Sequence, residues 1–145
     1  MKIVVQRVKR ASVSVNNKIV GAIDKGLLVL AGIHENDDEQ KLEWICSKIR
    51  KLRIFEDDDG KMNKSVEDIN GGILIVSQFT LYGSLKKGTR PSFIEAASPE
   101  VAEPLYEKMI ERLKESGLKV ESGIFAAMMD IELVNSGPVT IILEK

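Results

Sequence analysis

Gly26-Leu27-Leu28-Val29-Leu30-Ala31-Gly32-Ile33 is an unbroken apolar run bounded by glycines. A run of this kind predicts a strand buried on both faces. On its N-terminal side, Ile3, Val5, Val13 and Val15 alternate with polar residues, and Asn16-Asn17 supplies a tight turn before residues 18–23. That pattern predicts paired strands. On its C-terminal side a helix is expected. Asn36 is placed as its cap, Glu39 completes a capping box, and Leu42, Ile45, Ile49 and Leu52 form one face, with Trp44 at its edge. Gly71-Gly72 then introduces an expected strand over residues 73–82. A second helix is predicted from Pro99, capped by Ser98, with Val101, Ala102, Leu105, Met109 and Leu113 inward and Gly117 at its end. Residues near 119–134 and 139–143 read as closing strands separated by Asn135-Ser136-Gly137-Pro138. The order favours an α+β fold, one domain over residues 1–145, with a curved, mostly antiparallel barrel-like sheet and two main helices.

The chain has 145 residues, 43% hydrophobic and 30% charged. That is an ordinary globular balance, sufficient for one sizeable core. No apolar run is long enough to cross a bilayer, and the opening residues break their apolar run at Gln6, unlike a signal peptide. Cys46 is the single cysteine, so no internal disulfide can form; a reducing, cytoplasmic location is expected. The net charge of −1 argues against coating nucleic acid through a general basic field. A local patch could still grip an RNA end, and Arg7/Lys9/Arg10, Arg50/Lys51/Arg53 and Lys86/Lys87/Arg90 are the clusters available, though each reads first as a solvated face.

Familiar hydrolytic machinery is missing. With one histidine and one cysteine, a nucleophile–base pair is hard to assemble; Cys46 reads as core filling and His34 as a loop residue, with a general base as the alternative for His34. There is no Gly-x-Ser-x-Gly elbow, HExxH or paired CxxC, and no phosphate-binding glycine motif. Glu56-Asp57-Asp58-Asp59-Gly60 fails the calcium-loop pattern, because aligning its glycine puts Phe55 and Val66 at ligand positions. It reads as an Asp-Gly turn. A cofactor-free, metal-free protein is expected.

Two segments are chemically unusual. Ser77-Gln78-Phe79-Thr80-Leu81-Tyr82-Gly83 interleaves uncharged hydrogen-bonding groups with aromatics where a strand should be ending. Such groups can orient a neutral ester or a ribose without protonation, or simply satisfy backbone at a strand end. In Asn135-Ser136-Gly137-Pro138-Val139-Thr140, Gly137 permits backbone conformations closed to other residues and Pro138 removes a donor. A cis Gly-Pro bond would turn both neighbouring carbonyls one way; an ordinary trans turn is the alternative.

Together these segments resemble the signature motifs of the D-aminoacyl-tRNA deacylase family in its standard bacterial type: Ser-Gln-Phe-Thr, and Asn-x-Gly-Pro-Val-Thr. The resemblance runs along the whole chain through Gln6-Arg7-Val8, Ala11-Ser12-Val13, Gly26-Leu27-Leu28-Val29-Leu30, Arg53-Ile54-Phe55, Gly60-Lys61-Met62-Asn63, Arg90-Pro91-Ser92-Phe93 and Phe125-Ala126-Ala127-x-Met129. Ser136 stands where Asp is frequent, a departure that touches local hydrogen bonds only. The resemblance implies a homodimer with its active site at the subunit interface. Ser77, Gln78, Phe79 and Thr80 of one subunit would line it, and Gly137-Pro138 of the other would enter in the cis form, oriented by Arg7. The pocket would hold the 3′ terminal adenosine of an aminoacyl-tRNA, with Phe125, Ala127, Met129 and Asn135 in the substrate-binding set; core packing is an equal alternative for Phe125, Ala127 and Met129.

The implied mechanism is chiral proofreading in translation quality control. The Gly137 and Pro138 carbonyls would accept the α-hydrogen of a D-residue and exclude the β-carbon of an L-residue. Glycine would pass the same filter, so clearance of glycyl-tRNA is expected. Thr80 could be a nucleophile, but no base accompanies it. Phe79 and Thr80 main-chain donors are therefore expected to hold the oxyanion, with the tRNA 2′-hydroxyl activating water. Two competing readings are a non-catalytic aminoacyl-tRNA end-binding module and an esterase or amidase acting on free D-amino acid derivatives.

Overall fold

All 145 residues are described in a computed structural model. The elements run β1 (Lys2–Val15), β2 (Lys18–Ile23), β3 (Gly26–Gly32), α1 (Glu39–Lys51), β4 (Phe55–Glu56), β5 (Met62–Lys64), β6 (Gly72–Ser77), a 3-10 turn (Phe79–Tyr82), α2 (Pro99–Lys114), β7 (Val120–Ser122) and β8 (Asp130–Glu144). The main sheet is ordered β2-β1-β3-β6-β7, with β8 also paired to β1; β4 and β5 form a separate hairpin. β1 pairs antiparallel with β2, β3 and β8, whereas β3–β6 and β6–β7 are parallel. The sheet is thus mixed, and it curls until its two ends nearly meet. A Cβ built on Gly21 of β2 would lie 3.0 Å from the Ser122 carbonyl of β7.

The Gly26–Gly32 strand is buried on both faces because two cores use its alternate residues. Leu27, Val29 and Ala31 join Ile73 and Ile75 beneath the helices, where Leu42, Ile45, Cys46 and Ile49 of α1 meet Ala102, Tyr106, Met109 and Leu113 of α2. Leu28 joins Leu74, Val76, Val8, Val13 and Ile23 inside the curl of the sheet. Where β3 enters, Gly26 pairs with Gly72, and any Cβ on Gly26 would run into the Gly72 backbone. Asn16 and Asn17 both adopt positive φ, 50° and 61°, as the expected tight turn between β1 and β2 requires.

Several local expectations are corrected. α1 is capped by Asp38, not Asn36: the Asp38 carboxylate accepts from the Lys41 N–H at 2.9 Å, while the Asn36 N–H donates to His34 Nδ1 at 3.1 Å. The strand expected over 73–82 ends at Ser77 and tightens into the 3-10 turn. Val101, expected inward, is exposed, and Tyr106 takes the buried place on α2. Residues 135–138 do not separate two strands; they lie within β8. The Asp-Gly turn holds, with the Asp57 carboxylate accepting from the N–H groups of Asp59 and Lys61. Burial raises the Cys46 thiol to about 12, as suits core filling. No helix is long and apolar enough to cross a membrane.

Candidate functional site

Ser77 closes β6 opposite Ala31, and the next residue stays tied to β3, with the Gln78 N–H donating to the Ala31 carbonyl at 2.8 Å. Gln78 then turns the chain (φ −145°, ψ 76°) into the 3-10 turn. The Leu81 N–H returns to the Gln78 carbonyl at 3.3 Å and the Gly83 N–H to the Thr80 carbonyl at 2.9 Å. The N–H groups of Phe79 and Thr80, at the turn's start, find no acceptor within the chain. Free donors are the ordinary property of a helix start. Both residues are exposed, Phe79 to 57%. The Thr80 hydroxyl accepts a short hydrogen bond from the Gln78 amide. Its partner is therefore a neutral donor and no base.

Gly137 and Pro138 occupy a different kind of structure. On β1, Gln6 pairs with Thr140 and Val8 with Asn135, so Arg7 alone faces residues 136–139, which bulge out of the ladder. The Gly137-Pro138 bond is cis and Gly137 has φ 115°, a left-handed conformation that favours glycine. Asn135 closes the neck: its side-chain amide donates to the Arg7 carbonyl at 3.1 Å and the Val139 carbonyl at 3.0 Å. Arg7, only 8% exposed, props the bulge from below. Its Nε donates to the Ser136 carbonyl at 3.1 Å and its Nη1 to the Ile54 carbonyl at 2.6 Å. A Cβ on Gly137 would collide with Arg7 Nη2. The bulge is held by buried groups and presents Gly137 and Pro138 outward, both exposed.

The third group lies on the loop after β7. The Gly123 N–H and the Tyr106 hydroxyl both donate to the Ile75 carbonyl at 3.0 Å, which ties this loop to β6 two residues before Ser77. Phe125 tilts against Tyr106 with ring centres 5.8 Å apart. Ala126 takes a positive φ of 58° and Ala127 is half-buried. Met129 places its sulfur against Gly123 and packs on the inner core. Phe125 and Met129 thus have packing roles beside any contact with a ligand. Phe93, to which the sequence assigned no role, meets Phe79 edge-on at 5.1 Å, 75° between planes. Burial raises the Tyr82 hydroxyl to about 12. No three His, Cys, Asp or Glu side chains gather where a metal ion could be held.

The structure brings the 77–80 and 123–129 segments together but keeps the bulge apart. Arg7 pairs with Leu27 and Ser77 with Ala31, four residues further along β3, and two strands lie between β8 and β6. Strand geometry then separates Gly137 from Ser77 by roughly 20 Å within one chain.

Residues 4–144 match the model of the family described as D-Tyr-tRNA(Tyr) deacylase. A D-aminoacyl-tRNA deacylase of Thermotoga petrophila is 58% identical over 145 residues, covering 100% of this chain and 97% of that protein. One of Halalkalibacterium halodurans is 56% identical, covering 100% and 99%. Among solved structures, a c-Myc DNA unwinding element binding protein superposes with a TM-score of 0.94 at 45% identity, covering 100% of this chain and 99% of that one. A probable eukaryotic D-amino acid tRNA deacylase shares the fold, with a TM-score of 0.85 at 18% identity over 98% of this chain and 97% of that one. With a match of this length and these full-length relatives, the chain belongs to the D-aminoacyl-tRNA deacylase family of hydrolases.

Proposed function

We propose that this protein hydrolyses the ester joining a D-amino acid to the terminal adenosine of tRNA, in the cytoplasm, as a homodimer whose two active sites each draw on both subunits. The observation that carries the chiral part is the bulge: Gly137 and Pro138 are exposed on a backbone fixed by Arg7 and Asn135, yet roughly 20 Å from the free N–H groups of the same chain. A bulge from a second copy can supply what the first copy's own bulge cannot reach.

In this reading the main-chain oxygens of the bulge face the substrate α-carbon. A hydrogen fits there and a β-carbon does not, so rejection of L-residues is independent of side-chain type. The Phe79 and Thr80 N–H groups hold the oxyanion as water bonds to the ester carbon. The carbon–oxygen bond to the ribose then breaks and the ribose oxygen leaves with a proton. The adjacent ribose 2′-hydroxyl assists the water, because the Thr80 hydroxyl has only an amide beside it. Gln78 and Ser77 orient the ester, while Phe125, Ala127 and Met129 flank the adenine. Asn135 acts through the bulge, since both its amide donors are spent there.

Release of labelled tyrosine from D-tyrosyl-tRNA and L-tyrosyl-tRNA, run side by side with metal-free protein, tests the reading. Release from the D form alone is expected, with glycyl-tRNA also hydrolysed. Stoichiometric binding of both without release would replace it with the end-binding module. An equal rate on a small D-aminoacyl ester would replace it with the general esterase.

A further inference from the structure

Three clusters of basic residues compete in the sequence as places for an RNA backbone, and the structure distinguishes them. Arg7 is committed to the Ile54 and Ser136 carbonyls. Arg50 pairs with Glu67 at 2.5 Å, and Arg53 donates to the carbonyl and side-chain oxygens of Asn63 at 2.7 and 3.0 Å. Arg10 flanks a hollow that also contains Asp24 and Glu132, whose charges oppose a phosphate. These commitments leave Lys9 and Arg10 in the first cluster, the latter beside two carboxylates, and Lys51 alone in the second. In the third, Lys86, Lys87 and Arg90 are all exposed, and none takes part in an ion pair or a side-chain hydrogen bond.

The loop bearing them is built onto the 3-10 turn. Ser84 and Ser92 exchange backbone hydrogen bonds of 2.8 and 3.0 Å, closing its base. The base follows directly from Gly83, bonded to the Thr80 carbonyl, and leads into Phe93, whose ring contacts Phe79. Gly88, with φ 102°, turns the tip between the lysines and the arginine. A closed loop of this size extends roughly 10–12 Å from its base. Its cations therefore lie within that distance of a base that adjoins the turn carrying Thr80.

We infer that the loop of residues 84–92 is the phosphate-holding rim of the site, with Lys86, Lys87 and Arg90 gripping the backbone of the last nucleotides of the tRNA. This rests on the aminoacyl-tRNA reading above. A chain of net charge −1 has no general field to draw in a polyanion. Its affinity for tRNA then depends on local cations, and those of this loop are the unspent group nearest the ester-holding turn. The loop also separates two tasks: the turn recognises the terminal nucleoside, and the rim recognises what precedes it.

The test compares wild type with the triple variant Lys86→Gln, Lys87→Gln, Arg90→Gln on D-tyrosyl-tRNA and on the D-tyrosyl ester of adenosine, from 50 to 200 mM salt. Loss of three phosphate contacts to a single strand flattens the slope of log kcat/KM against log salt by about two, so wild type should lose roughly 20-fold more than the variant across that range. The preference for tRNA over the adenosine ester should fall in parallel at low salt. A charge-retaining variant, Lys86→Arg, Lys87→Arg, Arg90→Lys, should recover the slope. An unchanged slope and preference would overturn the inference, as would equal loss on both substrates, which would make the loop a structural brace for the turn. Salt titration of uncharged tRNA binding reads the same slope without turnover. An inactive wild type would therefore break the deacylase reading while this titration still decides the role of the loop.

Discussion

The turn at Phe79–Tyr82 and the bulge at residues 136–139 both stand at the surface, but they are held in opposite ways. The turn is exposed, its side chains are uncharged, and its first N–H groups are free. The bulge is clamped from beneath by a buried guanidinium and from the side by an amide with both donors in use. One region offers donors and the other offers a fixed shape. Under the proposed function, this difference assigns catalysis to the turn and selection to the bulge, and it can be broken by substitutions that damage one without the other.

The largest effect is expected at Thr80, where two substitutions separate the N–H from the hydroxyl. Thr80→Pro removes an N–H in the first turn, where proline is tolerated. Losing one oxyanion donor should lower kcat on D-tyrosyl-tRNA by about 100- to 1000-fold, with the melting temperature reporting that the fold persists. Thr80→Ala, measured in the same assay, should stay within about tenfold of wild type, as befits a group outside the bond-making step. Near-complete loss in Thr80→Ala would make the hydroxyl a nucleophile.

Gly137→Ala comes next. The added methyl meets Arg7 Nη2 at a φ of 115°, so the bulge must shift. A displacement near 1 Å can reduce rate by about 100-fold. Stability measured by urea unfolding should fall by about 1–3 kcal/mol. Arg7→Lys should act more on selectivity than on rate. It gives up the two-point grip on the Ser136 and Ile54 carbonyls, at a loss of about 1–3 kcal/mol in stability. The ratio of D- to L-tyrosyl-tRNA hydrolysis should narrow as the bulge loosens; an unchanged ratio would deny Arg7 its positioning role.

The smallest effect is expected at Cys46, remote from both regions. With the thiol raised to about 12 by burial, the folded protein should resist thiol reagents at pH 8. Because the unfolded thiol ionises near pH 8.5, the stability linked to this group is fully present below that pH. It is lost progressively as pH rises toward the folded value. Rapid labelling of native protein at pH 8 would contradict the buried assignment.

The sequence was most informative where burial is continuous or turn chemistry is strict. The Gly26–Gly32 strand, the Asn16-Asn17 turn and the buried stripe on α1 are all present. It misled where one side chain had several possible partners. Asn36, the expected cap of α1, turns its N–H to His34, Asp37 takes the Met1 ammonium at 2.7 Å, and Asp38 caps the helix. A Gly-Pro pair predicts the end of a strand; Arg7 and Asn135 let β8 continue through it. The motif residues were legible by resemblance. Their separation within one chain was not, since it depends on the register of β1 against β3 and β8, which no local pattern encodes. Tyr106 and the Ile54 carbonyl were missed for the same reason, as partners supplied by packing.

Subunit mixing tests most directly whether turn and bulge meet across two chains. Thr80→Pro, with an intact bulge, and Gly137→Ala, with an intact turn, would be unfolded together, refolded and assayed on D-tyrosyl-tRNA. In a symmetric dimer, half the molecules are mixed, and one of the two sites in each unites a wild-type turn with a wild-type bulge. Activity should therefore return to about a quarter of wild type. Activity remaining at the mean of the two separate variants would contradict a site shared between subunits.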